Sequence, residues 1–519
     1  MGKRSENKEI LIASVINYVT FAFNILIAIF YTPFLLKALG DVDYGIRSFA
    51  ISFVAYANII GTGISTAYLR FANLKKNENG DEGVKDIDGV FLKIFLFLSL
   101  AVLSIGILLF VFFLTGIIPL KNYSSNQVFV ISTVVLLSFI TLCIKLPLAT
   151  FLLILNFKRK FIYRNTRFLL SVVFEYLFSF LCLILGITVF KSSVIALSVV
   201  SLISESLFGI ITLIYVLFIL KHKINFKAKV VDKNIWKEIF RFSILSLMII
   251  AVMSLNDSTD RIILGFISAE SVTFYSLAII FNAYIKSGAD SLSVLFTPRI
   301  TEQATRNQQE EVQKSFDFVS KICIILMSFI IFGYVVCGKE FLTIWLGKER
   351  VSIYYYSLPL LLGMIFLYPQ HFSIQIHRAY GKQKFAAIAL AITFLINIGV
   401  SIGLVFLFKK YMDNPVLGCI VGTLFTYVCE AAVLSIYNHK KLNLKQWNVW
   451  IEVIVNLLIG FAICIVILRL IGLLNFNLAP GYMMVIKGLI YVAIFGLVQF
   501  ILNRKDFLKL FKWRKHEQV

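Results

Sequence analysis

The chain has 519 residues, of which 59% are hydrophobic and 15% charged, with a formal net charge of +22. Ordinary soluble domains are only about 45–50% apolar, so the composition excludes that class and points to a polytopic membrane protein. The positive charge does not indicate a nucleic-acid partner. Its basic residues recur in short clusters between apolar runs, as the positive-inside rule distributes them, whereas nucleic-acid binding needs one contiguous basic face.

The chain opens on the short basic stretch MGKRSENKE, and the apolar run that follows, Ile10 to Leu36, exceeds the roughly 7–15 residues of a signal-peptide core. It reads as the first spanning helix. Glu6 stands where a myristoylation signal needs Ser or Thr, so lipidation is not expected. Crossing a bilayer takes about 20 apolar residues, which predicts spans near 10–36, 44–69, 91–118, 128–152, 166–190, 194–220, 242–266, 271–297, 315–338, 353–376, 385–408, 415–437, 449–472 and 482–502. That is about fourteen crossings in an all-α fold.

Loop charge tests this count. Alternate connections carry Arg70, Lys75 and Lys76; Lys158, Arg159, Lys160 and Arg164; Lys221, Lys223 and Lys227; Arg299, Arg306 and Lys314; Arg378, Lys382 and Lys384; Lys440, Lys441 and Lys445; and a tail from Arg504 to Lys515. The intervening connections hold fewer cations, Lys37, Lys121, Lys191, Lys339, Lys348, Arg350, Lys409 and Lys410. This alternation predicts an even number of spans with both termini on the cytoplasmic side.

The chain divides by pattern into an N-terminal bundle over 1–220, a linker over 221–241, a second bundle over 242–445, and two further spans with a basic tail over 446–519. In the linker, Ile235, Trp236, Ile239 and Phe240 share a helical face against Lys233, Lys237 and Arg241, the pattern of an amphipathic helix on the inner membrane surface. The two bundles resemble copies. Ser48, Phe49 and Ala50 in the second span match Ser276, Leu277 and Ala278 in the eighth. Six intervening spans give both copies the same direction, which predicts a parallel repeat of the kind found in alternating-access transporters.

The stretch from Ser254 to Arg299 has the length of two spans yet contains Asp257, Asp260, Arg261, Lys286 and Asp290. Each such charge costs about 2.5–3.5 kcal/mol in hydrocarbon even on the lenient insertion scale, so these groups belong in a protein interior or a watery cavity. Asp257 with Arg261, and Lys286 with Asp290, are four residues apart, a spacing that brings both members to one helical face; Asn282 extends the second stripe. Two readings stand: structural ion pairs holding two helices together, or a polar wall that meets a charged cargo. Asn17, Thr20, Asn24 and Tyr31 on the first span, and Arg47, Asn58, Thr62 and Ser65 on the second, form further polar stripes. They are candidates for the facing wall or for interhelical hydrogen bonds. Glu175, Glu205 and Glu430 are isolated acids inside spans, expected to have structural partners, with proton or sodium relay as the alternative. The seven cysteines and five histidines lack the spacing of a disulfide framework or a zinc site, and His371 and His377 are expected to be structural.

The words DRIILGFISAESVTFYSLA, LLKALGDVDYGIRSFAIS and INIGVSIGLVF with NPVLGCIVGTLFTY resemble polysaccharide flippases of the multidrug/oligosaccharidyl-lipid/polysaccharide (MOP) superfamily. The resemblance implies two pseudo-symmetric six-helix bundles around a V-shaped central cavity, with two extra C-terminal helices. It implies a non-enzymatic function: carrying undecaprenyl-diphosphate-linked oligosaccharide from the inner to the outer leaflet of the bacterial cytoplasmic membrane. Arg47, Arg261 and Lys286 would then meet the diphosphate, and Asn17, Asn24, Asn58 and Asn282 the sugar hydroxyls. Asp257, Asp260 and Asp290 would tune those cations or bind a coupling ion. Arg47 departs from the small or aromatic residue frequent at that position in the family. No cofactor is implied beyond a coupling proton or sodium ion. The implied partners are the lipid-linked oligosaccharide, membrane lipids, and a polysaccharide polymerase with other assembly proteins, the transporter itself being a monomer. A cation-coupled multidrug exporter of the same architecture is the first alternative. A membrane glycosyltransferase or polymerase is the second, disfavoured because the outer loops are short and lack paired carboxylates.

Overall fold

The computed structural model describes residues 3–226, 244, 247–248, 251, 255–256, 258–474 and 478–516. Its elements are helices throughout: α1 (Lys3–Leu114), α2 (Ser125–Phe157), α3 (Phe161–Ile184), α4 (Ser193–Ile214), α5 (258–265), α6 (Ala269–Thr305), α7 (Gln309–Trp345), α8 (Ile353–His371), α9 (Ser373–Ala379), α10 (Gln383–Met412), α11 (Pro415–Leu442), α12 (Trp447–Leu474) and α13 (Pro480–His516). Among the described residues the only extended pairing is one bridge, Val189 with Ser192.

Helix α1 is three crossings in one run, because it is interrupted by non-helical geometry at Gly40 and Gly80. Gly40 sits at φ 77°, a left-handed conformation that a side chain disfavours and glycine adopts freely. Ten of the described helices are long and apolar enough to cross a membrane. Two of α1's three crossings and α6 add to that number, roughly consistent with about fourteen, the expected 242–266 span lying largely outside the described residues. Helix α6 is long enough but carries Lys286, Asp290 and Arg299 along its length.

The chain forms two compact units, 1–276 and 277–519. Helix α5 therefore falls in the first unit, while most of the expected 221–241 linker lies outside the described residues. In the first unit Phe49, Phe91, Phe95, Phe113 and Phe139 are fully buried side chains. Burying a phenylalanine contributes about 1.5–3 kcal/mol in water. Inside a bilayer the gain comes instead from close packing between helices, so contact geometry decides which faces meet. Gly45 illustrates it: a Cβ there would stand 1.9 Å from the Ala269 carbonyl oxygen. Phe49, Ala50, Leu277 and Ala278 of the paired sequence words are all completely buried.

Connections in the first unit sort to two ends. At one end, Lys76, Lys85, Phe157, Lys158, Lys221 and Lys223 surround a single cavity, and Asn165 donates to the Ala13 carbonyl (2.8 Å) near the start of the first crossing. At the other end, Asn122 donates to the Ile267 carbonyl (2.7 Å), Tyr123 to the Gly265 carbonyl (2.6 Å), and Thr273 to the Asp41 carbonyl. The lysine-rich connections thus share an end, the arrangement the charge alternation predicts.

In the second unit the last two helices pack on α7. Lys487 of α13 pairs with Glu340 of α7 at 2.6 Å, and Lys321 of α7 with Glu452 of α12 at 3.0 Å. The Tyr491 hydroxyl donates to the Phe329 carbonyl at 2.7 Å. Both ion pairs are shielded from full solvent, and a partner opposite each charge is what makes such groups tolerable at membrane depth.

Candidate substrate-binding site

The turn at Gly40 starts the second crossing, and Arg47 follows about two helical turns later. Its guanidinium acts electrostatically on Tyr31 of the first crossing, on Tyr44 of its own helix and on Tyr176 of α3. Tyr31 and Tyr176 meet edge to face with ring centroids 5.1 Å apart, and Ser179 stands near the Tyr31 hydroxyl. Glu175 stands beside the same tyrosines and accepts from Ser201 at 2.6 Å.

Arg261, on α5, also acts electrostatically on Tyr44. Both arginines are half-buried, and the Arg261 Nε is buried without a hydrogen-bond partner among the described residues. A buried donor in that condition forfeits about 1–3 kcal/mol until something accepts from it. The close approach of Gly45 to Ala269 and the packing of Gly265 against the Phe49 ring place α5 against the second crossing. That contact is the physical reason these two cations share a neighbour.

Asp260, one residue earlier, faces elsewhere. It is completely buried and accepts from the Tyr275 hydroxyl at 2.6 Å, joining α5 to the start of α6. The adjacent Thr259 hydrogen-bonds Tyr56. Asp257 lies outside the described residues. Lys286 and Asp290 are half-buried on α6, with Asp290 acting on the buried Cys323 thiol of α7. Asn282, buried on the same helix, lies 3.5 Å from the Tyr427 hydroxyl and has an unpartnered Oδ1. Asn24 donates back to the Thr20 carbonyl at 2.9 Å, while Asn17 and Asn58 are exposed. The structure thus has Arg47 and Arg261 both acting electrostatically on Tyr44, leaves Asn17, Asn24 and Asn58 along the first two crossings, and sets Asn282, Lys286 and Asp290 on α6.

The isolated acids have partners, as expected. Glu175 takes the Ser201 hydroxyl, Glu205 pairs with Arg167 at 3.6 Å, and Glu430 meets His371 at 2.9 Å. His377 meets Asn438 at 3.0 Å, and Asn438 donates in turn to Gln370 at 3.0 Å. Both histidines are therefore built into the interior of the second unit. Sequence reasoning missed Tyr44 and Tyr176 as the hub of the arginine cluster. Tyrosine is frequent in this chain, and nothing in its local spacing distinguishes these two.

No family model matches the sequence, and no curated protein matches it. Solved structures do match. The lipid II flippase MurJ, in an inward closed conformation, aligns with a TM-score of 0.71 and 16% identity over 95% of this chain and 99% of that chain. An inward-facing multidrug resistance MATE family transporter of the MOP superfamily aligns at 0.57 with 14% identity, covering 79% of this chain and 94% of its own. A MOP superfamily transporter from Pyrococcus furiosus aligns at 0.55 with 13% identity, covering 84% and 96%.

Proposed function

We propose that this chain, which has the fold of MOP-superfamily transporters, is a flippase. Its cargo is an undecaprenyl-diphosphate-linked oligosaccharide, moved from the inner to the outer leaflet of the bacterial cytoplasmic membrane for surface polysaccharide assembly. The physical problem is a diphosphate and a hydrophilic glycan that cannot cross about 30 Å of hydrocarbon unaided, because burying an unpaired charge costs far more than the molecule can recover. A transporter solves it by hydrating and pairing the headgroup while the lipid tail stays in lipid. No bond of the cargo needs to be made or broken.

The observation that carries this reading is the polarity of the cluster in the first unit. Two guanidinium groups, Arg47 and Arg261, both act electrostatically on Tyr44, and one of them has a buried nitrogen without an acceptor among the described residues. Guanidinium groups match phosphate oxygens in charge and geometry. Lys286 adds an ammonium on α6, and Asn17, Asn24, Asn58 and Asn282 offer amides suited to sugar hydroxyls. Asp260 accepts from Tyr275 and acts on cargo indirectly by fixing α5; Asp290, and Asp257 outside the described residues, are the carboxylates proposed to tune the cations or take a coupling proton or sodium ion. In the second unit, an apolar groove of about 280 Å³ between α7 and α13, lined by Leu326, Phe329, Phe495 and Phe500, suits part of a polyprenyl tail.

The test is genetic and direct. Arg261→Ala and Lys286→Ala should each abolish surface polysaccharide and accumulate lipid-linked oligosaccharide on the inner leaflet, with the protein still inserted at normal levels. Normal glycan output from both variants overturns the assignment. Drug sensitivity with intact glycan would instead support a cation-coupled exporter of the same fold.

A further inference from the structure

Away from the arginine cluster, at the lysine-rich end of the first unit, three separate connections close around a cavity of about 440 Å³. Five lysines line it, Lys76 and Lys85 from the lower part of α1, Lys158 at the end of α2, and Lys221 and Lys223 beyond α4, together with His222. Among the described residues Asp81 is the carboxylate in the wall, and Val84 and Phe157 supply its apolar surface. The volume lies within the roughly 300–1,000 Å³ of small-molecule sites.

The wall is built rather than casual. Asp88, completely buried, accepts from Tyr68 and meets His222 Nε2 at 2.6 Å. Asn225 donates to Asp86 at 2.7 Å, and its backbone donates to the Lys85 carbonyl at 3.2 Å. These bonds pin the segment after α4 onto α1, so that Lys221 and Lys223 are carried to the same cavity as Lys85. The Lys76 ammonium stands 5.4 Å from the centre of the Phe157 ring, which orients it across the opening. Burial pushes the Lys158 ammonium below its usual pKa, with Lys160 adding to the effect and Asp88 and Asp81 opposing it.

Scattered lysines are ordinary on a cytoplasmic face. Five converging on one concavity, against Asp81 in the wall and the buried Asp88 behind it, are costly, because like charges at short range repel and desolvation weakens their hydration. A polyanion seated among them reverses both effects, and basic pockets at the cytoplasmic ends of membrane helices take phosphate headgroups for this reason. We propose that this cavity is a binding site for a multiply charged phosphate or diphosphate group, separate from the Arg47 and Arg261 cluster and independent of what the transporter carries. The group comes either from a lipid headgroup of the inner leaflet or from a free phosphate compound in solution.

The full-length protein is titrated with inorganic pyrophosphate in detergent. It is also reconstituted in nanodiscs of phosphatidylglycerol or phosphatidylcholine, with retained lipid counted by native mass spectrometry. Pyrophosphate binding that weakens about tenfold or more in the Lys85→Gln/Lys158→Gln double variant, but is unchanged in Lys348→Gln on the other unit, supports the site and a free-phosphate source. Selective retention of phosphatidylglycerol that the double variant loses supports the site and a lipid source. Asp81→Asn is the opposite probe: removing this wall carboxylate should tighten binding severalfold, a gain that misfolding cannot produce. Binding of both probes that is equal in wild type, the double variant and Asp81→Asn, or no binding of either, overturns the proposal.

Discussion

A side chain at Gly45 would place its first carbon 1.9 Å from the carbonyl oxygen of Ala269. Backbone therefore touches backbone where the second crossing meets the start of α6, and the same contact brings α5 against Phe49 through Gly265. Because the obstacle is main chain rather than a movable side chain, the helices cannot adjust locally. Gly45→Ala should destabilise the first unit by about 1–3 kcal/mol, the usual cost of overpacking. It should also separate Arg261 from Tyr44. A lower thermal midpoint in detergent together with reduced glycan export checks this, and an unchanged midpoint would contradict it.

The shared neighbour of Arg47 and Arg261 makes a non-additive pair. If both guanidiniums hold one diphosphate, removing either already disables the site, so Arg47→Ala combined with Arg261→Ala should cost little more than either alone. Residues acting independently would instead add their effects within about 0.5 kcal/mol. Export rates of the single and double variants, compared as a cycle, decide between these. Lysine replacements should retain part of the activity by keeping charge without the bidentate fork.

The pair formed by Lys487 and Glu340 at 2.6 Å ties α13 to α7. Removing one member leaves a poorly solvated charge without a partner, which costs about 3–5 kcal/mol for a buried pair. Lys487→Ala should therefore lower the thermal midpoint, Glu340→Ala should do the same, and the exchange Lys487→Glu with Glu340→Lys should recover much of the loss. Absence of recovery would show that the position matters through packing rather than charge.

Sidedness is open to a labelling test. Lys223 borders the cavity at the lysine-rich end of the first unit, and Lys121 lies in the connection whose neighbours Asn122 and Tyr123 bond to 265–267 at the other end. After the seven native thiols are replaced, Lys121→Cys should react with an impermeant maleimide in intact cells, and Lys223→Cys only after the membrane is opened. The reverse pattern would invert the proposed orientation.

Much of this architecture was legible in the residues alone, because a crossing is a local event. About 20 consecutive apolar residues commit a segment to the bilayer whatever surrounds it, so the runs from Ile10 onward, the alternation of lysine-rich loops and the match of Ser48–Ala50 to Ser276–Ala278 needed no partner to be read. The need for partners at Glu175, Glu205 and Glu430 was equally plain, since an intramembrane charge must be answered. Which groups answer them depends on contacts between segments far apart in the chain. Tertiary packing alone turned Asp260 toward Tyr275, brought Arg47 and Arg261 to Tyr44, gave Glu430 to His371, and folded three loops of lysines around one cavity. The physical reason is that side-chain direction follows from how two backbones approach. Here glycines such as Gly45 and Gly265 set that approach through close contacts whose far side is nowhere near them in sequence.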